Sequence, residues 1–332
     1  MMQDPSSHPT LAKILRQHRP EWSWNDCRRA ITAGRVEIGG VTMTDPTARV
    51  TGVSEIVIKN QGAPHHKNSS KDIDLKVYYS DDHIIVVEKP SGIESVPFAT
   101  KNEDSLASKT SKTETLIDIA RAWLETKERR KLPPLKVVHR LDKGTSGVMA
   151  FARTKLAERE LGQLFRRHDI QRRYVAICLG TPPSGEIRSW LVKDRGDGRR
   201  GAVSKMSPAA KSAKEAITHV NVLESKQLAG NRSLSMVECK LETGRTHQIR
   251  IHLAESGHLL AGEQVYLSTR PHAPARSDYS NAPRIALHAT DLGFRHPVTG
   301  DSLQWSSPLP ADLSHWWRSL QFAADTKSSS FN

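Results

Sequence analysis

The chain has 332 residues, and 49 Lys and Arg against 36 Asp and Glu give it a formal net charge of +13. With 37% hydrophobic and 26% charged residues it can build a globular core, which excludes disorder throughout. No apolar run nears the roughly 18 residues of a membrane span, and Cys27, Cys178 and Cys239 stand too far apart for a disulfide framework or a zinc ribbon.

Residues 1–9 are polar, carry Pro5 and Pro9 and hold no apolar stretch of signal-peptide type. A disordered tail on a cytoplasmic protein is expected there, and the sparse cysteines fit a reducing compartment. Residues 10–60 read as a small unit of their own. Leu11, Ile14 and Leu15 recur at helical spacing before Pro20. Asn25 or Asp26 is placed to cap a second helix through Cys27, Ala30 and Ile31, with Gly34 as its stop. Strand-like runs at 36–38 and 41–43 meet at Gly39-Gly40, a hairpin signal, and a last strand covers 55–58. Arg16, Arg19, Arg28, Arg29 and Arg35 line the helical part. They suit phosphate contacts, or else the unit is a basic cap on a larger domain. Residues 61–74 are a polar linker, in which His65 and His66 have no third ligand nearby and read as solvated.

Residues 75–320 alternate strand-like and helical stretches. Strands are expected over 84–88, 137–139, 148–152, 174–179, 217–223, 234–241 and 285–288, and helices over 116–126, 156–168 and 246–255. Strands outnumber helices in an irregular order, which gives an α+β fold with a mixed, mostly antiparallel sheet. Polar insertions are expected over 99–115, 194–212 and 268–283, and a disordered tail over 321–332. In the second insertion Arg195, Arg199, Arg200 and Lys205 form either a nucleic-acid clamp or a mobile solvated loop.

The charge is concentrated. Residues 127–173 hold fourteen Lys or Arg against five Asp or Glu, which makes nucleic acid the leading partner. Within that band, "VVHRLDKGTSGVMAFARTK" places Asp142 where a strand runs into a glycine-bearing turn, beside Arg140 and Lys143. Opposite charge and backbone donors would keep that carboxylate ionised, as a nucleophile or general base needs. An Asp capping its own turn is the plainer alternative. Ser146 in "GTSGV" does not form the G-x-S-x-G elbow of a serine hydrolase. Further on, "LETGRTHQIRIHL" puts Arg245 at a helix start suited to phosphate and Arg250 about a turn later, able to pair with a carboxylate. His247, His252 and His258 are not spaced as HExxH, so no metal is expected. Tyr174 follows Arg172 and Arg173 into a strand, either as core or, beside a basic groove, as a stacking platform for a base or a group at a proton-transfer position. A glycosidase would need a second carboxylate near Asp142, and nothing ties Glu242 to that place.

Residues 10–60, chiefly "AGRVEIGGVTM", resemble the S-four-type RNA-binding domain. "HRLDKGTSGVMAFARTK", "RRYVAICLG" and "ETGRTHQIRIHL", in that order, closely resemble the RluA-type pseudouridine synthases, as do "DDHIIVVEKPSGI", "GHLLAGEQVY" and "IALHATDLGFRHPVTG". The resemblance covers about 245 residues. It implies an isomerase that turns uridine into pseudouridine within RNA, ribosomal RNA of the large subunit first and transfer RNA second. A non-catalytic RNA-binding assembly factor is the alternative from another class. The resemblance makes Asp142 the catalytic aspartate, Tyr174 the residue packing on the base and Arg250 the partner of the aspartate. Arg140, Lys143, Arg245 and His247 would contact RNA. No cofactor, no metal, no membrane and a monomer are expected. Glu263 stands where the family usually has Asp. That departure and the expanded loops are expected to lie away from the centre and to bear on substrate choice alone.

Overall fold

The computed structural model describes residues 10–32, 35–38, 41–43, 56–58, 74–97, 114–195, 199–204, 208–267 and 277–320. The chain divides into two compact units, residues 1–73 and 74–332.

In the first unit α1 (Leu11–His18) and α2 (Trp24–Thr32) precede β1 (Val36–Ile38), β2 (Val41–Met43) and β3 (Ile56–Ile58). Thr10 caps α1 by accepting from the Lys13 amide at 3.4 Å. The cap of α2 is Ser23, not Asn25 or Asp26. Its Oγ accepts from the Asp26 amide at 3.1 Å while the Asp26 carboxylate reaches back to the Ser23 amide at 3.0 Å, a reciprocal box. The strands form an antiparallel sheet in the order β2-β1-β3, with Ile38 opposite Val41. Leu11, Leu15, Cys27, Ile31 and Val36 close its core. Gly34, Gly39 and Gly40 lie outside the described residues.

The second unit carries β4 (Val77–Ser80), β5 (Ile84–Lys89), α3 (Leu116–Glu128), β6 (Lys136–Val137), β7 (Ser146–Ala152), α4 (Lys155–Arg167), β8 (Gln171–Leu179) and β9 (Gly185–Val192). Then come β10 (Gly201–Ala202), β11 (Lys214–Leu228), β12 (Arg232–Leu241), α5 (Gln248–Glu255), β13 (Leu287–Arg295), β14 (Ser302–Ser306) and α6 (Ala311–Ser319). The strands join one sheet in the order β10-β9-β11-β12-β8-β13-β7-β5-β4, with β14 added on β13 and β6 on β7. Among the described strands only β13 and β7 run parallel, so the fold is α+β with a mixed, mostly antiparallel sheet. Every residue of β7 is buried, as suits a central strand covered on both faces. On one side α4 packs Ala157 and Leu161 on Val148, Ala150 and Ala152, and elsewhere α5 packs Ile249 and Leu253 on Ala176, Val237 and Cys239.

Parts of this differ from the sequence-based expectation. Strands β4, β9, β10 and β14 and helix α6 were not expected. The stretch over 194–212 is no plain loop, because it contains β10 and a 3-10 turn at Pro208–Ser212. Residues 59–73 and most of the expected insertions at 99–115 and 268–283 lie outside the described residues.

Candidate active site

The site forms where the sheet opens beside β7. At one end β7 meets β13, and at the other it meets β6. The chain between β6 and β7, residues 138–145, leaves the sheet in this gap. His139 fills the vacant ladder position, its Nε2 accepting from the Ala150 amide at 3.0 Å while its ring stacks 4.7 Å from Phe165 of α4. Burial, helped by Arg172, pushes its pKa down to about 3, which keeps that nitrogen free to accept. Gly147 allows the close approach of β13. Its φ is +123°, and a Cβ there would lie 2.2 Å from the Ala289 carbonyl oxygen.

The next residues are held by the segment after β5. Ser95 Oγ donates to the Leu141 oxygen at 2.7 Å, Ser91 Oγ to the Gly144 oxygen at 2.7 Å, and the Gly92 amide to the Lys143 oxygen at 2.8 Å. Lys89 Nζ, fully buried, donates to the Lys143 oxygen at 3.1 Å. Asp142 is thereby presented from a loop whose backbone is bound on both sides of it. Its own oxygen closes the turn by accepting from the Thr145 amide at 3.0 Å.

Asp142 faces a cleft lined also by Arg140, Thr145, Tyr174, Arg245, His247 and Arg250, with apolar walls from Leu241, Ile249 and Leu287. It is the one carboxylate among these lining residues. Arg250 Nη1 lies 3.5 Å from Asp142 Oδ2, and His247 Nε2 lies 3.6 Å from Oδ1. Tyr174 is raised to about 12 by burial, so it stays a neutral phenol with its ring in the cleft wall. Burial lowers the His247 pKa against the pull of Asp142. The Tyr266 hydroxyl stands 2.7 Å from His247 Nδ1. If that hydroxyl donates, the neutral imidazole carries its proton on Nε2, toward Asp142.

Several expectations need correction. Helix α5 begins at Gln248, and His247 precedes it in the left-handed conformation at φ 60°. Arg245 is therefore not at a helix start, and its Nε is taken by the Glu215 oxygen at 2.9 Å. Glu263, expected away from the centre, is part of it. Its carboxylate takes Arg250 Nε and Nη2 at 2.8 Å each, and its side chain is fully buried. Arg195 is no open clamp residue, because its buried side chain lies 3.8 Å from Glu255. Lys205 is outside the described residues. The Lys143 side chain is exposed and its backbone oxygen does the anchoring. Glu242 pairs with His219 at 2.6 Å rather than with Asp142.

The charged band over 127–173 is not a single face. Arg153 is bound to Glu128 and to the Asp81 oxygen, and Arg172 donates to the Glu242 oxygen at 3.0 Å over the Phe165 ring. In the first unit Arg16 Nη1 bonds the Arg19 and Pro20 oxygens, Arg35 lies over the Trp22 ring, Arg28 is exposed, and the Arg29 side chain is outside the described residues. The anchoring roles of Lys89, Ser91, Ser95 and Tyr266 were missed. The one sequence signal for them was a lysine ending an apolar run just before Pro90. Among the described residues, Glu186, His219 and Glu242 gather donors within 4.8 Å of one another, but they are not in the cleft and Glu186 is bound by Arg188 at 2.7 Å. No described helix is long and apolar enough to cross a membrane.

The cleft thus holds a single carboxylate beside three arginines and a phenol, a set of groups suited to an enzyme site that meets a polyanion. The family described as RNA pseudouridylate synthase matches residues 83–255. A protein of Nitrosomonas europaea named ribosomal large subunit pseudouridine synthase D is 32% identical over 304 residues, 92% of this chain and 82% of that one. A protein of the same name from Neisseria meningitidis serogroup A is 36% identical over 97% of this chain and 80% of its own. The solved structure titled Human RNA Pseudouridylate Synthase Domain Containing 4 shares the fold, with a TM-score of 0.56 at 23% identity over 73% of this chain and 92% of that one. The chain belongs to the RNA pseudouridylate synthase family and is an isomerase acting on RNA.

Proposed function

We propose that this protein isomerises uridine to pseudouridine in ribosomal RNA of the large subunit, with Asp142 as the reacting carboxylate. The observation that carries the reading is the position of Asp142 as the single acid of a cleft otherwise lined by Arg140, Tyr174, Arg245, His247 and Arg250. Tyr174 packs on the target base, and Arg250 pairs with the aspartate. The N-glycosidic bond breaks, the uracil turns and rejoins the ribose through carbon 5, which gives up its hydrogen as a proton while N1 takes one up, so substrate and product have the same composition and no cofactor or metal is consumed.

To reach the cleft the target base must leave its stack, which costs a few kcal/mol that cation and stacking contacts offset. Arg140, Lys143, Arg245 and His247 contact the RNA around that base. Arg16, Arg28, Arg29 and Arg35, on an N-terminal S-four-type domain, add phosphate affinity with little choice of sequence. The names of the relatives support the large ribosomal subunit as target. The protein acts as a monomer in the cytoplasm. Mapping pseudouridines in RNA from cells with and without the protein tests the target. Loss of a large-subunit site is expected, and loss confined to transfer RNA would overturn the assignment.

A further inference from the structure

We propose that Glu263 is a positioning residue for the isomerisation, a buried carboxylate that aims both groups facing the reacting aspartate. The proposal rests on the reading of Asp142 given above. Glu263 works through two routes. In the first, its carboxylate holds Arg250 side-on, taking Nε and Nη2 at 2.8 Å each. Only Nη1 is left toward Asp142, at 3.5 Å. An arginine facing Asp142 alone would close on both its oxygens in a bidentate pair. Shared with Glu263, Arg250 stays at one side of Asp142 and leaves the carboxylate open to the cleft.

In the second route, Glu263 Oε1 accepts from the Gln264 amide at 3.0 Å and the Val265 amide at 2.7 Å, which fixes the turn leading into Tyr266. Tyr266 is buried, lies 5.3 Å from the Arg250 guanidinium carbon and meets His247 Nδ1 at 2.7 Å. His247 in turn faces Asp142 Oδ1. The turn cannot drift. Gly262 has φ +78° with its Cα packed so closely that a Cβ would lie 2.2 Å from the Arg284 oxygen, and its amide donates to Asp278 at 2.7 Å. Burial works to raise the pKa of Glu263, but Arg250 and the amides outweigh it and hold it below the ordinary carboxylate value.

The test compares Glu263→Gln and Glu263→Asp by single-turnover tritium release from RNA labelled at carbon 5 of uracil, with RNA affinity measured in parallel. Gln keeps the shape and removes the charge, so Arg250 turns toward Asp142. The rate should fall by about 10- to 100-fold, the scale of a misplaced catalytic group, with RNA affinity unchanged within about twofold. Asp keeps the charge on a shorter arm and should recover most of the rate. Tyr266→Phe, which releases His247 but leaves the turn, should give an intermediate loss. A folded Gln variant with the wild-type rate overturns the proposal. So do Gln and Asp variants equally slowed in proportion to their loss of thermal stability, because the role is then structural. If the Gln variant does not fold, a wild-type rate in the Tyr266→Phe variant overturns it as well, because the route through His247 then carries nothing. An active Asp142→Asn protein would instead strike the reading beneath the proposal.

Discussion

Replacing Lys89 with methionine should alter how stability depends on pH. Lys89 is fully buried at the end of β5 and donates to the oxygens of Pro90 at 2.9 Å and Lys143 at 3.1 Å. Burial lowers its pKa from 10.5 to about 7, with Asp142 opposing the fall and Arg284 and Lys143 adding to it. The unfolded chain keeps the ordinary value, so between those two limits the unfolded state binds more protons than the folded one. Stability must therefore rise with pH across that window. For one such group, linkage puts the penalty on folding at about 4 kcal/mol at pH 7 and about 2 kcal/mol at pH 9.

Methionine removes this penalty and its slope, while the lost donor costs about 1–3 kcal/mol, mostly at the Pro90 oxygen. The Lys143 oxygen still accepts from Gly92. The variant should be about 1–3 kcal/mol more stable than wild type at pH 7, and wild type should regain about 2 kcal/mol on it by pH 9, where the two are of similar stability. Urea unfolding at both pH values measures this. Parallel pH profiles would refute the account of a buried amine that sheds its proton near neutrality.

His139→Ala should leave the Ala150 amide without its acceptor and cost about 1–3 kcal/mol in urea unfolding. His139→Gln should recover part of that. Because the folded pKa of His139 is depressed, wild type should also lose stability faster than the Gln variant as pH falls below 6.5. Arg195→Ala should cost about 1–2 kcal/mol, since the half-buried Glu255 then loses its cation and keeps only the Ala202 amide, yet leave RNA affinity within about twofold. A large affinity loss at unchanged stability would restore the clamp reading. Deleting residues 1–73 should weaken binding to structured RNA in filter assays while isomerisation at saturating RNA persists. An insoluble product would favour the structural-cap alternative.

The legible parts of the fold were those with an unmixed local signal. Strands β5, β7 and β8 contain runs such as Ile84 to Val87 and Val148 to Ala152, buried along their length, and apolar continuity gave them away. Strand β9, reading GEIRSWLV, mixes Glu, Arg and Ser among its apolar residues because much of it is exposed, and it escaped notice. Asp142 stood out as an acid among cations at a strand exit. Its supports did not, because each is a contact across the sequence. Ser95 meets Leu141 from 46 residues away, and Glu263 meets Arg250 after a chain reversal that no local pattern announces. The start of α5 was misplaced because His247 takes a left-handed conformation that a helical periodicity would not show.

The central claim, that Asp142 performs the chemistry, is tested most directly by Asp142→Asn. This change keeps the side-chain shape and removes the charge facing Arg250 and His247. Tritium release from RNA labelled at carbon 5 should fall by about a thousandfold or more, while RNA affinity stays within severalfold of wild type. Isomerisation near the wild-type rate, or lost RNA binding with unchanged activity per bound RNA, would contradict it.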